Sequence, residues 1–183
     1  MKLLNLKYDF KPLETIGDGS CLVHAILQAF SKEYNNFKSD IEKIKLVKQV
    51  RFHLSEILEL KIEGNKNIYQ YLSRGELQDL GKIIPEAKLE YMKRYLNSNN
   101  FLTLQYVELL SEIFDINIIF ISEKEKDIYH SGDNQLLFKK DRETIFVNYI
   151  EQTHFETIQI NGKTLFEKKD KVLLDVIKKL KFD

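Results

Sequence analysis

One cysteine stands within the nine residues Gly17-Asp18-Gly19-Ser20-Cys21-Leu22-Val23-His24-Ala25, and it is the only cysteine among 183 residues. The two glycines predict a tight polar turn, and apolar residues at helical spacing follow it. Ser20 suits the N-cap, because its hydroxyl can accept a hydrogen bond from a first-turn N–H. A thiol at a helix start lies where backbone N–H groups and the helix dipole favour the thiolate. We therefore expect a partly exposed, nucleophilic Cys21 with a lowered pKa, although an isolated cysteine is more often a buried structural thiol.

A second block reads Asn148-Tyr149-Ile150-Glu151-Gln152-Thr153-His154-Phe155-Glu156, and its histidine lies 133 residues after Cys21. A neutral imidazole at His154 could take the thiol proton and return it to a leaving amine. The other histidines are His24, His53 and His130. The position of His154 within the block, and not histidine chemistry as such, selects it as the base.

Composition limits the class of protein. The 28 basic and 28 acidic residues cancel, which argues against a general nucleic-acid binder. A single cysteine forms no internal disulfide, so a reducing compartment is the simpler interpretation. The scattered histidines do not suggest a zinc site, and no apolar run approaches the ~20 residues of a membrane span. The charged N-terminus does not resemble a signal peptide, so we expect a cytoplasmic protein without a metal or other cofactor.

Hydrophobic periodicity predicts helices in the first two-thirds of the chain and strands in the last third. Helices are expected at 20–34, 40–62, 69–80, 86–96, 104–114 and 169–181, with Asp40 as an N-cap and Pro85 at a first helical position. Strands are expected at 116–121, 127–129, 135–138, 144–150 and 154–160, with a tight turn at Asn161-Gly162. This order predicts an α+β fold with helices packed on a largely antiparallel sheet. We expect one domain over 1–183, with an amphipathic helix in 163–183.

The two blocks, in this chain order, resemble the cysteine and histidine motifs of the ovarian-tumour (OTU) family of cysteine proteases. The family commonly has an aromatic residue where this chain has Val23. The resemblance covers roughly residues 10 to 160. It implies a papain-like α/β arrangement in which Cys21 is the nucleophile and His154 the general base. It also implies an oxyanion hole formed by the N–H of Cys21 and that of Asp18 or Gly19.

The residue that would orient His154 is open between two acids. Glu156 shares a strand face with His154, because side chains two residues apart point the same way. The family commonly has Asp or Asn at that place, and Glu is one methylene longer. Some OTU enzymes are assigned an acid at the position of Asp18, which a turn-capping role would explain equally well. We favour Asp18 slightly.

The resemblance implies a thiol-dependent deubiquitinase that hydrolyses the bond after the C-terminal glycine of ubiquitin or a ubiquitin-like modifier. Ubiquitin or its chains would be the partner. Two alternatives stay open, namely an OTU module that binds ubiquitin without cleaving it, and another papain-like thiol amidase or acyltransferase. The small size resembles OTU proteases of viruses or intracellular bacteria, in which case the site of action would be the host cytoplasm.

Overall fold

A computed structural model describes residues 6–72, 81–103, 106–122, 127–130, 142–151 and 153–180. The α-helices are α1 (Cys21–Phe30), α2 (Lys32–Asn36), α3 (Asp40–Ile57), α4 (Ile68–Leu72), α5 (Leu89–Leu96), α6 (Val107–Phe114) and α7 (Lys171–Leu180). Short 3-10 turns span Glu63–Asn65 and Pro85–Ala87. The strands are β1 (Phe10–Leu13), β2 (Ile116–Ser122), β3 (Asp127–His130), β4 (Glu143–Ile150), β5 (His154–Ile160) and β6 (Leu165–Phe166).

The strands form one mixed sheet in the order β1-β5-β4-β2-β3, and β6 also pairs with β4. The central β2–β4 pair is parallel, whereas the remaining pairs are antiparallel. The α+β class and the largely antiparallel sheet are therefore confirmed. The candidate strand at 135–138 lies outside the described residues.

The sheet is covered on both faces, which explains why every residue of β2 is buried. Successive β2 residues alternate between two apolar clusters, as strand geometry requires. Ile118 and Phe120 join the cluster that contains α1, and Ile119 and Ile121 join the cluster that contains α7. The amphipathic C-terminal helix is thus a cover for the second face of the sheet.

Several predicted helix ends needed correction. The first helix stops at Phe30, because Ser31 begins a new helix by accepting a hydrogen bond from the Tyr34 N–H. The N-cap of α3 is Ser39 and not Asp40, since Ser39 and Glu42 form a reciprocal capping box. Residues before α7 form β6, and the predicted helix at 69–80 is described only as far as residue 72.

Candidate active site

Cys21 is the first residue of α1, and α1 packs against β5. The thiol is buried, with only 2% of the residue exposed. Burial raises the pKa of Cys21, while backbone hydrogen bonds of Phe155, Leu22 and Cys21 itself lower it and the Asp18 charge raises it. The expectation of a lowered pKa and partial exposure was therefore wrong. Desolvation outweighs the helix start, so the thiol rests in its protonated form and needs a base.

His154 is the first residue of β5 and pairs with Ile150, the last residue of β4. It is partly buried, and its Nε2 lies 3.3 Å from Oγ1 of Thr15. The next residue along β5 is Phe155, which lies in the same buried apolar cluster as Cys21. The structure thus brings the start of α1 and the start of β5 together. No direct hydrogen bond joins Cys21 to His154 in this described region, and such bonds commonly tighten only when substrate binds.

The Asp18 side chain makes its polar contacts with Ser20 of the loop before Cys21 and with His24 of α1. Its carboxylate accepts a hydrogen bond from the Ser20 N–H at 2.9 Å and lies 3.3 Å from Nε2 of His24. The His24 ring is fully buried, and its Nδ1 lies 2.8 Å from the Tyr34 hydroxyl. Burial lowers the pKa of His24, which favours the neutral ring in this network. Asp18 therefore connects the turn before Cys21 to His24. In the described part of the chain, which includes both residues, Asp18 makes no hydrogen bond with His154.

Glu156 is on β5, two residues beyond His154, as the strand pattern predicted. Its carboxylate accepts a hydrogen bond from the Asn148 amide at 3.2 Å. Asn148 is its direct partner in the β4–β5 register. The carboxylate is thus engaged across the sheet, and no hydrogen bond links it to the imidazole of His154 in the described structure.

Aromatic packing fixes the backbone beside His154. The Phe155 ring is fully buried and stacks on Tyr149 at 4.7 Å and on Phe101 at 5.5 Å between ring centroids. Phe120 meets it edge-on at 5.7 Å. These are the offset and T-shaped arrangements that aromatic rings prefer. The start of β5 is therefore held rigidly against α1, where the thiol lies.

Within the described ranges, no three His, Cys, Asp or Glu side chains are grouped as a metal site requires. Nor does any helix in those ranges have the length and apolar character needed to cross a membrane.

Comparison with known proteins places this geometry in a known fold. No protein-family model matches the sequence, and no curated protein matches it. Among solved structures, an OTU domain in complex with ubiquitin aligns with a TM-score of 0.61 and 17% identity, covering 96% of this chain and 86% of that chain. The viral OTU domain protease from Taggert virus has a TM-score of 0.52 and 15% identity, covering 85% of this chain and 82% of that one. The corresponding protease from Dera Ghazi Khan virus has a TM-score of 0.51 and 14% identity, covering 86% and 83%.

This chain has the OTU fold. The fold that the two sequence blocks implied is thereby confirmed. At these identities the likeness concerns the arrangement of the backbone, and the roles of Cys21 and His154 remain predictions.

One residue that shapes the site of this OTU fold was missed in the sequence. Arg51 of α3 is 2% exposed, and its guanidinium donates to the Ser20 hydroxyl and to four backbone carbonyls. Those carbonyls belong to Gly19, Tyr95, Leu96 and Asn100. Arg51 therefore ties the turn before Cys21 to the loop after α5. The Ser20 hydroxyl accepts a hydrogen bond from Arg51 and none from a first-turn N–H, so the predicted side-chain cap of α1 by Ser20 was wrong.

The signal for Arg51 was present in the helical periodicity. Val47 and Leu54 of α3 and its C-cap residue Leu58 are buried on one side of the helix, and Arg51 lies on the same stripe. A charged residue on an apolar stripe must find hydrogen-bond partners when it is buried. The position of Arg51 alone could have predicted that its guanidinium is buried and hydrogen-bonded within the protein.

Gly19 packs directly against the loop that Arg51 holds. Its φ is +85°, and an ideal Cβ at this position would lie 2.1 Å from the Asn99 carbonyl oxygen. A side chain is thus excluded on two grounds, the left-handed backbone and the close approach. The loop around Asn99 forms one wall beside the Cys21 turn.

Proposed function

We propose that this protein is a thiol-dependent deubiquitinase with Cys21 as nucleophile and His154 as general base. The proposal is carried by one observation, namely that the helix that begins with the Cys21 thiol packs against the strand that begins with His154. The OTU fold around this pair supports ubiquitin as the substrate, because a structure with this fold was solved in complex with ubiquitin.

The reaction begins with a protonated thiol, since burial raises the pKa of Cys21. His154 takes the thiol proton, and the thiolate attacks the carbonyl carbon of the bond after the C-terminal glycine of ubiquitin. The C–N bond then breaks as His154 gives its proton to the leaving amine, which leaves a thioester on Cys21. Water next gives one proton to His154 and attacks the thioester carbonyl carbon. The C–S bond breaks as His154 returns that proton to the Cys21 sulfur, which restores the free thiol, and the released acid loses its remaining proton to solvent to give the ubiquitin carboxylate.

The N–H of Cys21 and one from the preceding turn would stabilise the oxyanion of each tetrahedral intermediate. One such donor contributes ~3 kcal/mol in characterised enzymes. The brace from Asp18 to the Ser20 N–H and the contact from Arg51 to the Gly19 carbonyl keep this turn in one conformation. We assign these residues to positioning the turn. A cycle through a free thiol needs reducing conditions, so we place the activity in the cytoplasm, including that of a host cell.

Hydrolysis of ubiquitin that carries a fluorogenic amide on its C-terminal glycine tests the proposal. Wild type should release the fluorophore, Cys21→Ala should not, and His154→Ala should lose ~100-fold or more in rate. Release that persists in folded Cys21→Ala contradicts the mechanism. Tight ubiquitin binding without turnover in wild type would instead favour a binding module. Turnover of small acyl donors alone would favour a different thiol amidase or acyltransferase.

A further inference from the structure

Proton accounting at Thr15 fixes the state of the His154 ring. The Thr15 hydroxyl donates to the Phe155 carbonyl oxygen at 2.5 Å. A hydroxyl has one proton, so Oγ1 can only accept from His154 Nε2, which lies 3.3 Å away. Nε2 therefore carries a proton, and Nδ1 is the acceptor nitrogen of the neutral ring.

We infer that Thr15, and neither Asp18 nor Glu156, is the positioning residue that orients His154. The inference rests on the proposed function for the role it gives the ring. Both acids are engaged elsewhere, with Asp18 at Ser20 and His24 and Glu156 at Asn148. A neutral hydroxyl takes the place of the orienting acid, and Nδ1 is thereby left to accept the Cys21 proton.

The sheet itself delivers Thr15 to this place. In the antiparallel register of β1 with β5, Leu13 pairs with Thr157. Continuing that register by two residues sets Thr15 opposite Phe155, which is where its hydroxyl bonds. Thr15 is 8% exposed, so water competes little for its hydrogen bonds. The contact thus follows from strand pairing and not from a mobile surface side chain.

The hydrogen bond from His154 to the Thr15 hydroxyl should be strongest when the His154 ring carries a positive charge. A hydrogen bond to a charged group is stronger than one between neutral groups, and His154 is an imidazolium after it takes the thiol proton. Loss of the acceptor should lower the rate of Cys21 chemistry about tenfold. It should also release the ring to exchange its proton between Nδ1 and Nε2.

The direct test is the tautomer of His154, read from ring ¹⁵N shifts in two-bond ¹H–¹⁵N NMR spectra of the whole chain at alkaline pH. Wild type and Thr15→Ser should show a protonated Nε2 and an unprotonated Nδ1, whereas Thr15→Val should show averaged shifts. Glu156→Gln and Asp18→Asn should keep the wild-type pattern. A wild-type ring protonated on Nδ1, or one that Thr15→Val leaves unchanged, overturns the inference. So does averaging caused by Glu156→Gln or Asp18→Asn alone.

Thr157→Val is the matched control, because it removes another buried threonine hydroxyl that contacts β5 or belongs to it. The Thr157 hydroxyl lies 2.8 Å from the Ala25 carbonyl oxygen and 2.9 Å from Oε1 of Gln28. Both valine variants should lose similar stability, but only Thr15→Val should slow hydrolysis of ubiquitin amide, with Thr15→Ser restoring the rate. The NMR readout needs no ubiquitin. If Thr15→Val releases the fixed tautomer of wild type but wild type does not hydrolyse ubiquitin amide, the role of Thr15 is upheld and the proposed deubiquitinase activity is rejected. If wild type hydrolyses ubiquitin amide through Cys21 but the tautomer does not depend on Thr15, the activity is upheld and the role of Thr15 is rejected.

Discussion

Replacing Gly19 with alanine should damage both the stability and the activity of the protein. Two effects act together at this position, because φ is +85° and the new Cβ would lie 2.1 Å from the Asn99 carbonyl oxygen. Relief requires that carbonyl to retreat by at least roughly 1.3 Å, to ordinary van der Waals distance. The neighbouring Asn100 carbonyl accepts from Arg51 at 3.1 Å, so the loop resists the shift.

Gly162→Ala separates the two effects. Gly162 has a similar φ of +81°, but nothing lies within 4 Å of its ideal Cβ. The left-handed backbone costs about 1–2 kcal/mol for a residue other than glycine, and the smaller entropy of the unfolded chain offsets about 0.4–1 kcal/mol. We expect Gly162→Ala to lose about 1 kcal/mol. The crowding at Asn99 adds about 1–3 kcal/mol, so Gly19→Ala should lose about 3 kcal/mol.

Urea unfolding followed by circular dichroism measures both losses. Hydrolysis of fluorogenic ubiquitin amide measures the effect on the site, where a displacement of about 1 Å can cost about 100-fold in rate. Gly162→Ala should keep the wild-type rate, since its turn lies at the far end of β5 from His154. If Gly19→Ala were as stable as Gly162→Ala to within about 0.5 kcal/mol and fully active, the close approach of the two loops would be refuted.

Three further outcomes follow from the same contacts. Arg51→Lys should lose about 3 kcal/mol in urea unfolding, because an ammonium has three donors for the five acceptors that Arg51 now reaches; wild-type stability would contradict the clamp. The lowered pKa of His24 means that its share of stability is present above its ordinary pKa of 6.5 and is lost as the pH falls below that value. Wild type minus His24→Gln should therefore show a slope of at most about 1.4 kcal/mol per pH unit between pH 6.5 and 5, and a flat difference would contradict the neutral ring. Ser39→Ala should lose about 1 kcal/mol through its capping box and leave ubiquitin hydrolysis unchanged; a change in the rate would show that the α3 start is coupled to the site.

The sequence predicted what depends on local pattern. The burial of β2 was clear from an isoleucine-rich apolar run, and the Asn161-Gly162 turn from its dipeptide. The positions of Cys21 and His154 at the starts of α1 and β5 followed from the blocks around them. Each of these features is encoded within about ten neighbouring residues.

Features that depend on long-range contacts were not predictable in this way. The Thr15 hydroxyl meets His154, 139 positions away in the sequence, only because β1 pairs with β5. The pKa of Cys21 was expected to fall, since the local helix start favours the thiolate, but burial under the sheet dominates. The parallel pairing of β2 with β4 likewise depends on tertiary packing, which local strand propensity does not specify.

The most direct test of the central claim is a covalent adduct with ubiquitin that carries a C-terminal electrophile, mapped by peptide mass spectrometry. We predict one adduct per chain on Cys21, absent in Cys21→Ala and at least tenfold slower in His154→Ala. A folded wild-type protein that forms no adduct with ubiquitin, or one labelled at a residue other than Cys21, would contradict the account.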